Sequence, residues 1–369
     1  MDLSVQRRTP RHSRARAGLP PRALLLPVVA PVDVSACARQ NPARQPRAPL
    51  RSRCLEPSSV PLTSPRRPAS LSAPWLRGVA RQLSRLGLVV LCATGASAGA
   101  EEVVPRAPTR EERARYPWLG ADVAVRPLDV AIAPPEGYAR VAVEPGSFGA
   151  WLRGLPLRPA GTPARDFRGG RVLAGDDARL AAVAELDVGT ANLQQCADSI
   201  IRLHAEWRWA SGHSEQIAYR FTSGHLASWP RYAAGDRARV SGSKVTWVRG
   251  ASADSSRSAF RSYLDLVFTY AGTLSLQGEK ARPARADVRP GDFFVLGGSP
   301  GHAVLVLDVA ANARGERVAL LGQGFIPAQD FQVLSPGAGG PWFSLSGDTV
   351  ATPFWQPFPW SSLRRMPSP

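Results

Sequence analysis

The chain has 369 residues, enough for one large or two ordinary domains with ample core, and a formal net charge of +17. The charge is unevenly placed: residues 1–100 hold 16 Arg against 3 acidic residues, so the other 269 carry only about +4. A nucleic-acid-binding domain concentrates Lys and Arg on its folded part, so nucleic acid is excluded as an expected partner.

Residues 1–75 are rich in Pro, Arg and Ser without sustained periodicity, and read as a disordered basic leader. Residues 76–100 have the form of a secretory signal peptide. Arg77, Arg81 and Arg85 make the charged region, residues 86–93 the apolar core, and Ala96-Ser97-Ala98 or Ala98-Gly99-Ala100 the cleavage site. The apolar run is too short to cross a bilayer, so no integral membrane segment is expected after cleavage. Residues 1–75 then read as an over-extended reading frame, with translation starting near Leu76 or Val79, and the mature protein as periplasmic or secreted. The contrary reading is an authentic disordered arm on a cytoplasmic protein. Of Cys37, Cys54, Cys92 and Cys196, cleavage leaves only Cys196. That excludes a structural disulfide and flags a lone thiol.

Residues 101–365 read as a single α+β domain. Residues 123–132 look strand-like, residues 147–153 could form a short helix, and residues 179–188 are the next ordered segment. The clearest helix is 193–209, capped by Thr190 or Asn192, with Leu193, Ala197, Ile200 and Ile201 at spacings of three and four. Cys196 falls in its first turn, where unpaired N–H groups are expected to lower the thiol pKa and favour thiolate. Strand-like runs at 217–221 and 245–248 and a second amphipathic helix at 258–270 follow. Three short apolar runs then succeed one another (292–296, 303–308 and 317–322), joined by Gly- and Pro-rich turns, and are expected as adjacent antiparallel strands. The tail carries Trp342, Phe343, Phe354, Trp355, Phe358 and Trp360 between prolines, expected to pack on the sheet.

His302 stands at the mouth of the second of these strands, after Gly297-Gly298-Ser299-Pro300-Gly301. A cysteine opening a helix and a later histidine entering a strand is the layout of papain-like hydrolases, in which imidazole serves the thiol as base and then acid. Asp308 lies six positions along the same strand, about 20 Å away, and is excluded as the residue that orients the imidazole. Folding the hairpin about residues 312–314 brings Gln323 opposite His302 to within one residue, so Gln323 is the expected orienter. The backbone N–H of Cys196 with the side-chain amide of Gln194 or Gln195 would form the oxyanion site. His204 lies eight residues along the same helix from Cys196, about 12 Å; His213 and His225 fall in loops. No cofactor is called for, and no His, Cys or carboxylate pair has metal-ligand spacing.

Residues 192–203, beginning Asn192-Leu193-Gln194-Gln195-Cys196, together with Phe221-Thr222-Ser223-Gly224, Gly291-Asp292, Gly297 to Val304 and Pro327-Ala328-Gln329-Asp330-Phe331, resemble an exported bacterial family. It is known only as domain of unknown function 4846. The same motifs are more loosely similar to the NlpC/P60 and CHAP cell-wall amidases and peptidases. Against those, the Cys196–His302 separation implies an insertion at about 215–285, and Gln replaces the usual third polar residue. The resemblance implies a papain-like fold and a thiol hydrolase acting on an amide bond, with peptidoglycan-like peptide as substrate. The alternative is a non-catalytic envelope binding protein on the same fold. A Cys196–His302 pair within hydrogen-bond reach in an open groove favours chemistry; a sealed or divergent pair favours binding.

Overall fold

A computed structural model describes residues 104–337 and 339–368. The leader and the signal-like stretch lie outside these residues. The described chain is mixed α+β, built on an eight-stranded, antiparallel sheet. Its strands are β1 (Tyr138–Arg140), β2 (Leu180–Val183), β3 (Asp292–Leu296), β4 (His302–Asn312), β5 (Arg317–Gln323), β6 (Gln332–Leu334), β7 (Phe343–Ser344) and, last in the chain, β10 (Leu363–Arg365). Across the sheet the order is β10-β3-β4-β5-β6-β2, with β1 added to β4 and β7 to β5. The three expected strands are therefore neighbours. Strand β4 is buried from His302 to Ala310. It reads as a continuous apolar run because both of its faces are covered.

Alternate residues serve two cores. Ala303, Leu305 and Leu307 join the larger core, which contains the helices; Val304, Val306 and Val309 join a smaller one. The smaller core is closed by a hairpin of β8 (Thr349–Thr352) and β9 (Trp355–Pro359), through Val350 and Phe358. The aromatic tail thus packs on the sheet, as expected.

Four helices matter to the site: α1 (Phe148–Arg153), α2 (Cys196–Ala210), α3 (Arg257–Tyr270) and α4 (Thr273–Gln277). Ser147 and Ser256 cap α1 and α3 by accepting from the N–H groups of Ala150 and Ala259. In α2, 13 of 15 residues are buried, so it is a central helix and its charged residues must pair inside the protein. The stripe Phe260, Tyr263, Leu264 and Val267 of α3 packs into the same core. Residues 214–277 thus carry two small hairpins (Ala218–Arg220 with Leu226–Ser228, Asp236–Ser241 with Lys244–Arg249) as well as helices whose side chains help build the main core.

Two expectations shift. Residues 123–132 hold only a two-residue strand, Arg126–Pro127, followed by a helical turn, Leu128–Ala131. Pro127 has the fixed φ that leads into such a turn. Helix α2 starts at Cys196 rather than 193, because residues 191–195 form tight turns (Leu193 N–H to Ala191 O, Gln195 N–H to Leu193 O, both 2.8 Å). The Asn192 side chain is spent elsewhere, accepting from the Ala328 N–H at 2.7 Å. No described helix is long and apolar enough to cross a membrane.

Candidate functional site at the head of the cysteine helix

Gln195 is the N-cap of α2, and its N–H donates to Asp198 Oδ2 at 3.1 Å. Its carbonyl accepts from both the N–H and the hydroxyl of Ser199 (2.9 and 2.7 Å). This first turn seats against the end of the β4–β5 pair. A Cβ on Gly324 would come within 2.3 Å of Ser199 Oγ and 2.8 Å of Gln195 O, so only glycine permits the approach. The Cys196 thiol consequently lies against the backbone N–H of Ala303, the residue after His302.

Burial, not the helix terminus, sets the thiol's state. Desolvation pushes Cys196 up to about 11, outweighing the opposing N–H groups of Ala303, Ala197 and Cys196 itself, and the nearby Asp198 adds to the rise. The expected thiolate is corrected to a neutral thiol, because a side chain only 4% exposed loses more hydration than the helix end returns.

His302 is bonded as the hairpin arithmetic suggested, with Nε2 and Gln323 Oε1 2.8 Å apart. The register has one feature the sequence did not reveal. A β-bulge leaves Leu307 unpaired, so Gly322 faces Leu305 where unbroken pairing would put Gln323. The shift moves Gln323 onto the sheet face of Val304 and His302. Gln323 also donates to Gln332 Oε1 at 3.4 Å. The imidazole packs on Phe325 (4.9 Å, edge-on), Trp355 (5.1 Å) and Phe358 (6.1 Å). That places it toward the smaller core, and desolvation pushes it down to about 4. His302 is 1% exposed. Among the described residues no hydrogen bond joins it to Cys196.

The expected oxyanion donors separate. Gln194 is fully buried: its amide donates to Asp187 O, and its oxygen accepts from Arg202 and Arg261. It does not line the groove and its amide is already bonded, which corrects its expected role. Gln195 does border the site, with Nε2 donating to Asn192 Oδ1 at 3.2 Å. Asp308, excluded from the sequence, is bound to Arg140 and Arg153. His204 is buried against the Tyr219 hydroxyl, and His225 pairs with Ser223. No group of His, Cys and carboxylate residues among those described could hold a metal.

An open groove of about 460 Å³ lies at the head of α2. Its walls include Gln195, Cys196, Asp198, Thr273, the Gly298–Gly301 turn and Ile326; His302 is not among them. Asp198 was not singled out in the sequence, although Gln195 and Asp198 stand at capping-box spacing. Its Oδ1 is buried without a hydrogen-bond partner, and desolvation pushes the carboxyl up to about 8. A pKa raised on folding stabilises the protein fully below the unfolded value of about 3.9 and is lost as pH climbs through about 8. Asp198→Asn keeps the cap acceptor and cannot ionise, so its melting temperature should fall less than that of wild type across that window. Parallel melting curves would show that the carboxyl ionises freely in the fold.

These features define the class as an α+β protein with a cysteine-headed central helix packed on a mainly antiparallel sheet. The sequence model of the family described as domain of unknown function (4846) matches residues 128–365, and the chain belongs to that family. No curated protein and no solved structure matches the chain.

Proposed function

We propose that this domain is a ligand-binding protein of the bacterial envelope, holding its ligand in the groove at the head of α2. The observation that carries this reading is that the groove wall contains the Cys196 thiol but not the His302 imidazole. Thiol and imidazole are both neutral near pH 7, at about 11 and about 4, and the imidazole is sealed away from the groove at 1% exposure. The signal-like residues 76–100 support a place outside the cytoplasm.

The second reading is a thiol hydrolase cleaving an amide of a cell-wall peptide. The Gln323 bond to His302 Nε2 favours it, since Nδ1 is left as the ring nitrogen able to exchange a proton. That step would carry a proton uphill, from the thiol to a much weaker base. A peptidyl chloromethyl ketone separates the readings. The binding reading expects saturable labelling of Cys196 that rises with pH through the alkaline range and is unchanged in His302→Ala. Labelling that levels off near neutrality and collapses in His302→Ala would overturn it in favour of the hydrolase.

A further inference from the structure

We infer that the groove at the head of α2 selects ligands carrying a cationic amine, and that Asp198 is the residue that recognises it. The inference rests on the binding reading and names its ligand class. Among the residues lining the groove there is no Lys, Arg or His; apart from the Cys196 thiol, Asp198 is the one ionisable side chain. It is 5% exposed, with Oδ2 committed to the Gln195 N–H and Oδ1 buried without a partner. A buried acceptor left unpaired is a standing cost that a donor can remove. An ammonium group supplies the donor together with the opposite charge, which returns a carboxyl held neutral by burial to its ionised form. An anionic ligand finds no Lys, Arg or His in the lining to offset its own desolvation.

The skeleton bearing the amine is apolar. Of the five large hydrophobic side chains exposed on the described residues, two line this groove: Leu274 of α4, 51% exposed, and Ile326 beyond β5, 52% exposed. The rest of the wall mixes apolar Leu193, Phe268 and Pro300 with neutral polar groups such as Asn192, Thr222 and Thr273. That lining suits a peptide-like or alkyl amine.

Cys196 provides a reporter that needs no turnover. A methanethiosulfonate converts the thiol to a mixed disulfide and releases methanesulfinate, so its rate reads access by the group it carries. Aminoethyl, sulfonatoethyl and methyl methanethiosulfonate are applied to the full chain at mildly alkaline pH. Labelling at Cys196 is followed by peptide mass spectrometry and normalised to a free thiol. The cationic reagent should label about tenfold faster than the anionic one, the size of one hydrogen bond to a charged group. Asp198→Asn should remove the preference. Should that variant not fold, protection of wild-type Cys196 from the methyl reagent by ethylamine, but not by propionate, decides the question. Equal rates for all three reagents, a preference that survives Asp198→Asn, or no labelling of the folded protein would overturn the inference. A hydrolase result from the chloromethyl ketone experiment would leave the charge preference intact, so the two failures are distinguishable.

Discussion

Arg202→Ala is expected to lower the stability of the domain by about 3–5 kcal/mol, because it leaves buried charge uncompensated. Arg202 is 2% exposed and lies about one turn along α2 from Asp198 of the groove. Its Nε donates to Glu206 Oε1 at 2.8 Å, its Nη2 to Asp187 at 2.9 Å, and its Nη1 to Gln194 Oε1 at 3.2 Å. Glu206 is wholly buried, and its other oxygen has no partner. Without Arg202 its one remaining cation is Arg257, which is 35% exposed. The same change leaves Arg261 as the one guanidinium holding Asp187 and Gln194, in the segment that leads into the N-cap of α2, so the groove wall should loosen with it. Urea denaturation checks the magnitude. A loss under about 1 kcal/mol, the scale of an exposed pair, would mean that Glu206 finds water once its partner is gone.

Asp308→Ala is expected to cost about 3 kcal/mol, the lower end of the range for breaking a buried pair, or roughly 6–12 °C in Tm for a domain this size. Asp308 is fully buried and accepts from Arg140 Nε at 2.6 Å, Arg153 Nε at 2.9 Å and the Val309 N–H at 2.9 Å. The two guanidiniums also bond backbone carbonyls and stay 21% and 16% exposed. They can relax toward water, which keeps the cost at that lower end. Asp308 follows the unpaired Leu307, and so ties β1 and α1 to the bulge that turns Gln323 toward His302. The variant should therefore weaken the His302–Gln323 bond, visible as altered imidazole NMR shifts. An unchanged imidazole environment would show that the bulge holds without Asp308.

The sheet was legible because its strands are short apolar runs punctuated by Gly and Pro, and that pattern survives any tertiary context. The Gln323–His302 bond was anticipated by counting back from a turn at 312–314, but that count set the two opposite each other, whereas Gly322 faces Leu305 and Gln323 reaches His302 as a diagonal neighbour. The bulge at Leu307 was not legible, since nothing in Leu307-Asp308-Val309 marks which residue drops out of the ladder. Helix α2 was found, but its start was misplaced by three residues. Asn192 looked like a cap, yet its side chain bonds the backbone of Ala328, a partner 136 residues away. The thiol's state was misjudged for a similar reason. A helix terminus is a local feature readable from sequence, whereas the desolvation that outweighs it depends on how the sheet closes over the residue. Asp198 was within reach of sequence reasoning through its spacing from Gln195, but its orphaned oxygen is a fact of packing.

The central claim is that the Cys196 thiol lines a binding groove and does not attack the ligand held there. Mass spectrometry of the folded protein, after incubation at neutral pH with the nitrophenyl ester of a short peptide, tests it most directly. The result expected is no acyl adduct at Cys196 beyond that of an ordinary free thiol. An acyl adduct that forms rapidly, turns over, and slows sharply in His302→Ala would contradict the claim and establish Cys196 as a nucleophile.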